Sequence, residues 1–214
     1  MRGLYLVTDR GLCGGRPLEE VVRLAVEGGV SCVQLREKDL PTREFMETAA
    51  AVKGILRPSG VPLVINDRID VALAVGAEGV HIGQGDMPYE TARRLMGRSA
   101  IIGLSVETWE DVEEARDLDV DYLGVSPVFP TPTKTDTLSA WGLEGLARIR
   151  AYVKHPLVAI GGMNRQNAAA AVRAGADGIA VVSAICSAPD PFREALALSS
   201  LIGEALSLRS SPRV

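Results

Sequence analysis

The chain has 214 residues, 47% of them hydrophobic and 23% charged, with a net charge of −4. This is an ordinary globular make-up, long enough to bury a core without staples, and its acidic balance argues against a broad nucleic-acid surface. No stretch approaches the ~20 apolar residues of a membrane span, and the amino terminus lacks the pattern of a secretory signal.

In chain order, eight short apolar runs recur at 4–8, 32–35, 63–65, 79–82, 101–104, 122–125, 157–160 and 178–182. Each is followed by a stretch with helical spacing. Leu18, Val21, Val22 and Ala25 share one helix face, and Phe45, Ala49, Val52 and Ile55 share the next. Ala168, Ala171 and Val172 form part of another, with Asn164 as its N-cap. Segments 28–37, 75–84, 119–128 and 174–183 echo one another: a helix end, a turn at Gly or Asp, then a β-branched strand. Near-continuous apolar strands are those of a parallel sheet covered on both faces.

Alternating strands and helices permit a closed barrel or an open doubly wound sheet. The Gly-rich turns lie late, after the seventh and eighth runs, whereas the turn after the first run, TDRGLCGG, does not fit G-x-G-x-x-G. That favours a single-domain (β/α)8 TIM barrel. The expected domain is 1–206, with a frayed polar tail at 207–214. Cys13, Cys32 and Cys186 share no metal-ligand or redox spacing, so we expect buried, idle thiols and a cytoplasmic protein.

Polar residues cluster just after the runs. Gln34, Arg36 and Lys38 close the second, Asn66 and Asp67 the third, and Asp86 follows the fourth. Asp67 and Asp86 come from neighbouring strand ends, where two carboxylates about 4 Å apart repel by about 4 kcal/mol at an effective dielectric of 20. One reading is a Mg²⁺ site completed by substrate phosphate oxygens. The other is that each aspartate caps the helix that follows it. Arg36, Lys38 and Lys134, expected on the same rim, read either as solvated surface charges or, with Asn66 as a further donor, as a receptor for a diphosphate. Gly161-Gly162 and Val182-Ser183 form a second candidate anion site, at the usual phosphate position of such barrels.

The segment 127–141, with Lys134 at its centre, has little periodicity and reads as a lid over phosphate or as a solvated loop. His155 is expected at the surface, and His81 as a satisfied core residue. No Ser-His-Asp or Cys-His arrangement is legible, so no side-chain nucleophile is expected.

Taken together, QLREKD (34–39), INDRIDVALA (65–74), GVHIGQGDM (79–87), YLGVSPVFPTPTKTDT (122–137), VAIGGMN (158–164) and GIAVVSAI (178–185) resemble the thiamine phosphate synthase family. The resemblance implies a transferase of thiamine biosynthesis that joins 4-amino-5-hydroxymethyl-2-methylpyrimidine diphosphate to 4-methyl-5-(2-phosphoethyl)thiazole. It implies that Gln34, Arg36, Lys38 and Asn66 contact the pyrimidine diphosphate, with Asp67 and Asp86 holding Mg²⁺. It further implies catalytic roles for Ser105, Lys38 and Lys134. Thr131 and Thr133 would face the thiazole, whose phosphate would rest on Gly162, Val182 and Ser183. The implied partners are small-molecule substrates, with no nucleic acid and no membrane.

The resemblance departs at Glu107, where the family commonly has histidine. The related thiazole tautomerase uses a histidine there and needs no diphosphate site. Glu107, together with Lys38, Asp67, Asp86 and Lys134, therefore argues against that isomerase. A third alternative is a non-catalytic barrel that senses phosphate esters.

Overall fold

Eight parallel strands hydrogen-bond in sequence order and close into a barrel, β1 pairing with both β2 and β8. The computed structural model describes residues 2–131 and 140–210. The strands are β1 (Gly3–Val7), β2 (Cys32–Leu35), β3 (Leu63–Asn66), β4 (Gly79–Ile82), β5 (Ile101–Val106), β6 (Tyr122–Val125), β7 (Leu157–Ala159) and β8 (Gly178–Val181). The helices are α1 (Leu18–Glu27), α2 (Thr42–Leu56), α3 (Ile69–Val75), α4 (Tyr89–Met96), α5 (Trp109–Ala115), α6 (Gly142–Tyr152), α7 (Ala168–Ala174), α8 (Ser183–Cys186) and α9 (Pro191–Ser210). Among the described residues no helix is long and apolar enough to cross a membrane.

The helices bury the stripes that their spacing predicts. Leu18, Val21, Val22 and Ala25 of α1 are fully buried, the larger side chains each contributing about 1.5–3 kcal/mol. In α2 the fourth buried position is Leu56, while Ile55 only packs against the core edge. Within the barrel, Tyr5, Val7, Cys32, Val64, Tyr122, Val158 and Ala180 form a separate packed layer. Strand alternation turns every second residue inward, so Gln34, Asn66, His81 and Ser105 open above that layer.

The segments that echo one another in sequence share a structural device. Residues Glu78, Asp121 and Asp177 stand just before β4, β6 and β8. Their carboxylates accept the N–H of Leu63 at 2.9 Å, Ile102 at 2.8 Å and Leu157 at 3.0 Å, at the start of the neighbouring odd strand. Each also meets a cation from the preceding even-numbered helix: Lys53 at 3.7 Å, Arg93 at 2.9 Å and Arg150 at 3.1 Å. Before β2 the position is Ser31, whose hydroxyl donates to the Leu4 carbonyl at 3.0 Å. The device ties helix end, strand start and neighbouring strand together on the barrel face opposite the site.

At the carboxyl end, residues 207–210 continue α9. Arg209 anchors it: the side chain donates to the Val172 carbonyl at 3.0 Å and the Ala176 carbonyl at 2.6 Å, and pairs with Asp177. Residues 211–214 lie outside the described residues.

Candidate active site

A cavity of about 930 Å³ opens at the carboxyl ends of the strands. Gln34, Arg36, Lys38, Asn66, Asp67, Asp86, Ser105, Thr131, Gly162, Val182 and Ser183 all line it. Thr133 and Lys134 lie outside the described residues.

Strand β1 organises the second-strand motif. Thr8 donates its N–H to the Gln34 carbonyl at 2.9 Å and accepts the Arg36 N–H on its hydroxyl at 3.0 Å. The Asp9 carboxylate faces the Arg36 guanidinium at 3.7 Å and accepts the Leu12 N–H at 3.2 Å. Arg36 is thereby held at the rim.

Asp67 and Asp86 are in hydrogen-bond contact. Burial, then the Asp86 hydrogen bond and charge, push the Asp67 carboxyl up to about 6, against the opposing pull of Lys38 and Arg36. Two acids in contact share a proton when no cation separates them. Neither caps a helix, which removes the plainer of the two sequence readings. Asp67 has a left-handed backbone, φ 62°, a conformation that costs a non-glycine residue about 1–2 kcal/mol. The cap position of α3 falls instead on Arg68, and that of α4 on Pro88, with no side-chain cap bond at either. Asp86 instead accepts the Gly83 N–H at 2.7 Å, within its own turn. Among the described residues no three His, Cys, Asp or Glu side chains gather as a metal cluster. Two carboxylates on an open, oxygen-only site are the donor set that suits Mg²⁺, which keeps water or phosphate oxygens as its other ligands.

Gly161 and Gly162 have φ of 92° and 63°, and a Cβ on either would stand 2.6 Å from Pro127 Cβ or 2.8 Å from Phe129 Cβ. The turn is therefore glycine because the β6–α6 connection packs directly upon it. Asn164 and Asn167 donate side-chain N–H groups to the Gly162 carbonyl at 3.2 and 2.9 Å. Asn164 opens the turn ahead of α7, accepting the Gln166 N–H on its side chain at 2.9 Å, while the cap position falls on Asn167, three residues later.

The 127–141 connection has a closed stem. Val128 donates to the Ile160 carbonyl at 2.8 Å, and Trp141 and Gly142 donate to the carbonyls of Pro127 and Val128, both at 2.9 Å. Its central residues, to which the lid reading applies, are outside the described residues.

Two further rings stand in this cavity: His81, expected as a satisfied core residue, and Tyr122, which the sequence did not single out. His81 and Tyr122 both line it, and each ring nitrogen of His81 has a hydroxyl partner. The signal was the glycine inside β5 and β6, Gly103 and Gly124, which marks a close approach within a strand. His155 departs from expectation as well: it is half-buried, with Nε2 donating to the Leu118 carbonyl at 2.7 Å. Glu107 lines the cavity just past β5, its N–H donating to Asp111 at 2.8 Å.

Comparison with known proteins bears on this barrel and its mouth. Residues 4–185 match the thiamine monophosphate synthase family. The chain belongs to that family. A thiamine-phosphate synthase of Albidiferax ferrireducens is 62% identical over 199 residues, covering 93% of this chain and 91% of that protein. One from Leptospira biflexa is 55% identical over 202 residues, covering 92% and 96%. Among solved structures, thiamine phosphate pyrophosphorylase from Pyrococcus furiosus superposes with a TM-score of 0.87 at 42% identity, covering 95% and 96%. A 3-hexulose-6-phosphate synthase, at 17% identity and a TM-score of 0.70, shares the barrel alone. Thiamine monophosphate synthases are transferases of thiamine biosynthesis, and the fold expected from the sequence is the fold observed.

Proposed function

We propose that this thiamine monophosphate synthase joins 4-amino-5-hydroxymethyl-2-methylpyrimidine diphosphate to 4-methyl-5-(2-phosphoethyl)thiazole by dissociative substitution, releasing diphosphate. The observation that carries the reading is the meeting of the Asp67–Asp86 pair with Arg36, Lys38 and Asn66 in one cavity that Gly162 and Ser183 also line. One group of side chains suits a diphosphate and the other a phosphate monoester, as two such substrates require.

The reaction needs no enzyme nucleophile. The electron-rich aminopyrimidine expels its diphosphate, and the thiazole nitrogen takes up the resulting cation. The protein's tasks are then to bind the leaving group, align the two rings and exclude water. Arg36 and Lys38 hold the diphosphate, Asn66 adds an amide donor, and Gln34 orients the pyrimidine. Lys134 is assigned to the departing oxygens, and Ser105 to a hydrogen bond donated to the same substrate. Thr131 and Thr133 are assigned to the thiazole, with its phosphate against Gly162, Val182 and Ser183. Asp67 and Asp86 would hold Mg²⁺, which supplies positive charge for the diphosphate when bound. Free, buried Cys13, Cys32 and Cys186 support a reducing compartment, the cytoplasm.

The test is to incubate the protein with both substrates, with and without Mg²⁺. Thiamine phosphate and diphosphate should appear in equal amounts, and only with the metal. Tight binding of both compounds without turnover would instead support a sensor, and no product under any condition rejects the synthase.

A further inference from the structure

Ser105 is the cavity end of a hydrogen-bonded chain that runs over three neighbouring strands, β4, β5 and β6. His81 Nε2 lies 2.8 Å from Ser105 Oγ, and His81 Nδ1 lies 3.0 Å from the Tyr122 hydroxyl. The two rings stack with centroids 5.5 Å apart, and Tyr5 packs edge-on against Tyr122 at 5.8 Å. Room for them is built in. A Cβ at Gly103 would meet Tyr122 Cζ at 2.1 Å, and one at Gly124 would meet His81 Cε1 at 2.9 Å.

The direction of the chain follows from counting donors and acceptors. Tyr122 is buried, so its phenol keeps its proton. The Gln34 side chain favours negative charge on that oxygen, as a donating amide does, and we assign the phenolic proton to Nδ1 of His81. A neutral imidazole that accepts at Nδ1 carries its hydrogen on Nε2. Nε2–H therefore donates to Ser105 Oγ, and the serine's own hydrogen is turned toward the cavity.

We propose that Tyr122 and His81 are positioning residues: they fix the tautomer that makes Ser105 a donor to the substrate instead of an acceptor from it. This rests on the reading of Ser105 as a substrate contact. With the chain reversed, Ser105 would donate to His81 and present lone pairs to an anionic leaving group.

The experiment combines ¹⁵N-histidine NMR of the whole protein with a double-mutant cycle. The chain has two histidines, so a His155→Gln variant assigns the spectrum. His81 is expected as the Nε2–H tautomer in the parent and as a mixture in Tyr122→Phe, a nearly isosteric change. Tyr122→Phe should lower kcat about tenfold while leaving KM for the pyrimidine diphosphate within about twofold. In a Ser105→Ala background it should cost nothing further. A parent spectrum showing Nδ1–H, or fully multiplicative effects of the two changes, overturns the proposal. Unchanged kcat in Ser105→Ala overturns the substrate-contact reading, a failure distinct from that of the tautomer.

Discussion

Asp67 carries two local costs in the cavity: a left-handed backbone and a carboxyl pushed up by burial and by Asp86. A cation between the two acids removes the repulsion, so Asp67→Asn and Asp86→Asn should each raise the Mg²⁺ concentration for half-maximal turnover at least about tenfold. An unchanged metal titration would return both to a structural role. Lys134→Ala should lower kcat more than it weakens thiazole phosphate binding, because the lysine is assigned to the departing diphosphate; equal kcat would remove it from that role. The thiols make a contrasting case. Burial pushes Cys32 and Cys186 up to about 12, so an aromatic disulfide reagent at pH 8 should label none of the three cysteines until the protein is unfolded. Legibility at this scale followed chemistry. Charged residues placed after apolar runs announced themselves, whereas His81 and Tyr122 read as strand residues because their partnership depends on inter-strand register. The capping alternative for Asp67 could be rejected only once its φ was known.

Strand positions were legible to within one residue because short apolar runs leave little freedom. β5 was the exception. It runs on to Val106 through Ser105, an inward polar residue that reads as a strand end. The echo among the αβ turns was visible, but its cause was not, since the carboxylate of Asp121 or Asp177 reaches a strand far away in sequence. Removing one such charge-assisted link, as in Asp121→Ala, leaves the Ile102 N–H and Arg93 short of a partner and should cost about 2 kcal/mol. Thermal unfolding would show this as a lowered Tm with the active-site kinetics retained. A Tm equal to the parent's would mean that water replaces the carboxylate. Gly103→Ala acts differently, since its methyl would intrude on the Tyr122 ring. It should cost about 1–3 kcal/mol by overpacking and lower kcat as well.

Across the whole molecule, the barrel turns eight separated strand ends into one mouth, so residues from 34 to 183 share a cavity without any local motif specifying it. Closure could be inferred from the late glycine turns, but the depth of the site could not. That depth is set by Tyr5 and Tyr122, which fill the barrel beneath it. The opposite face holds the carboxylate links and the α9 anchor at Arg209, so function and stability are divided between the two ends. Substitutions at one end should therefore combine additively with those at the other. The most direct measurement of the central claim is a crystal structure with the pyrimidine diphosphate and Mg²⁺ bound. The account predicts the metal between Asp67 and Asp86, with the diphosphate against Arg36, Lys38 and Asn66. Diphosphate bound away from this mouth, or a metal that touches neither aspartate, would contradict it.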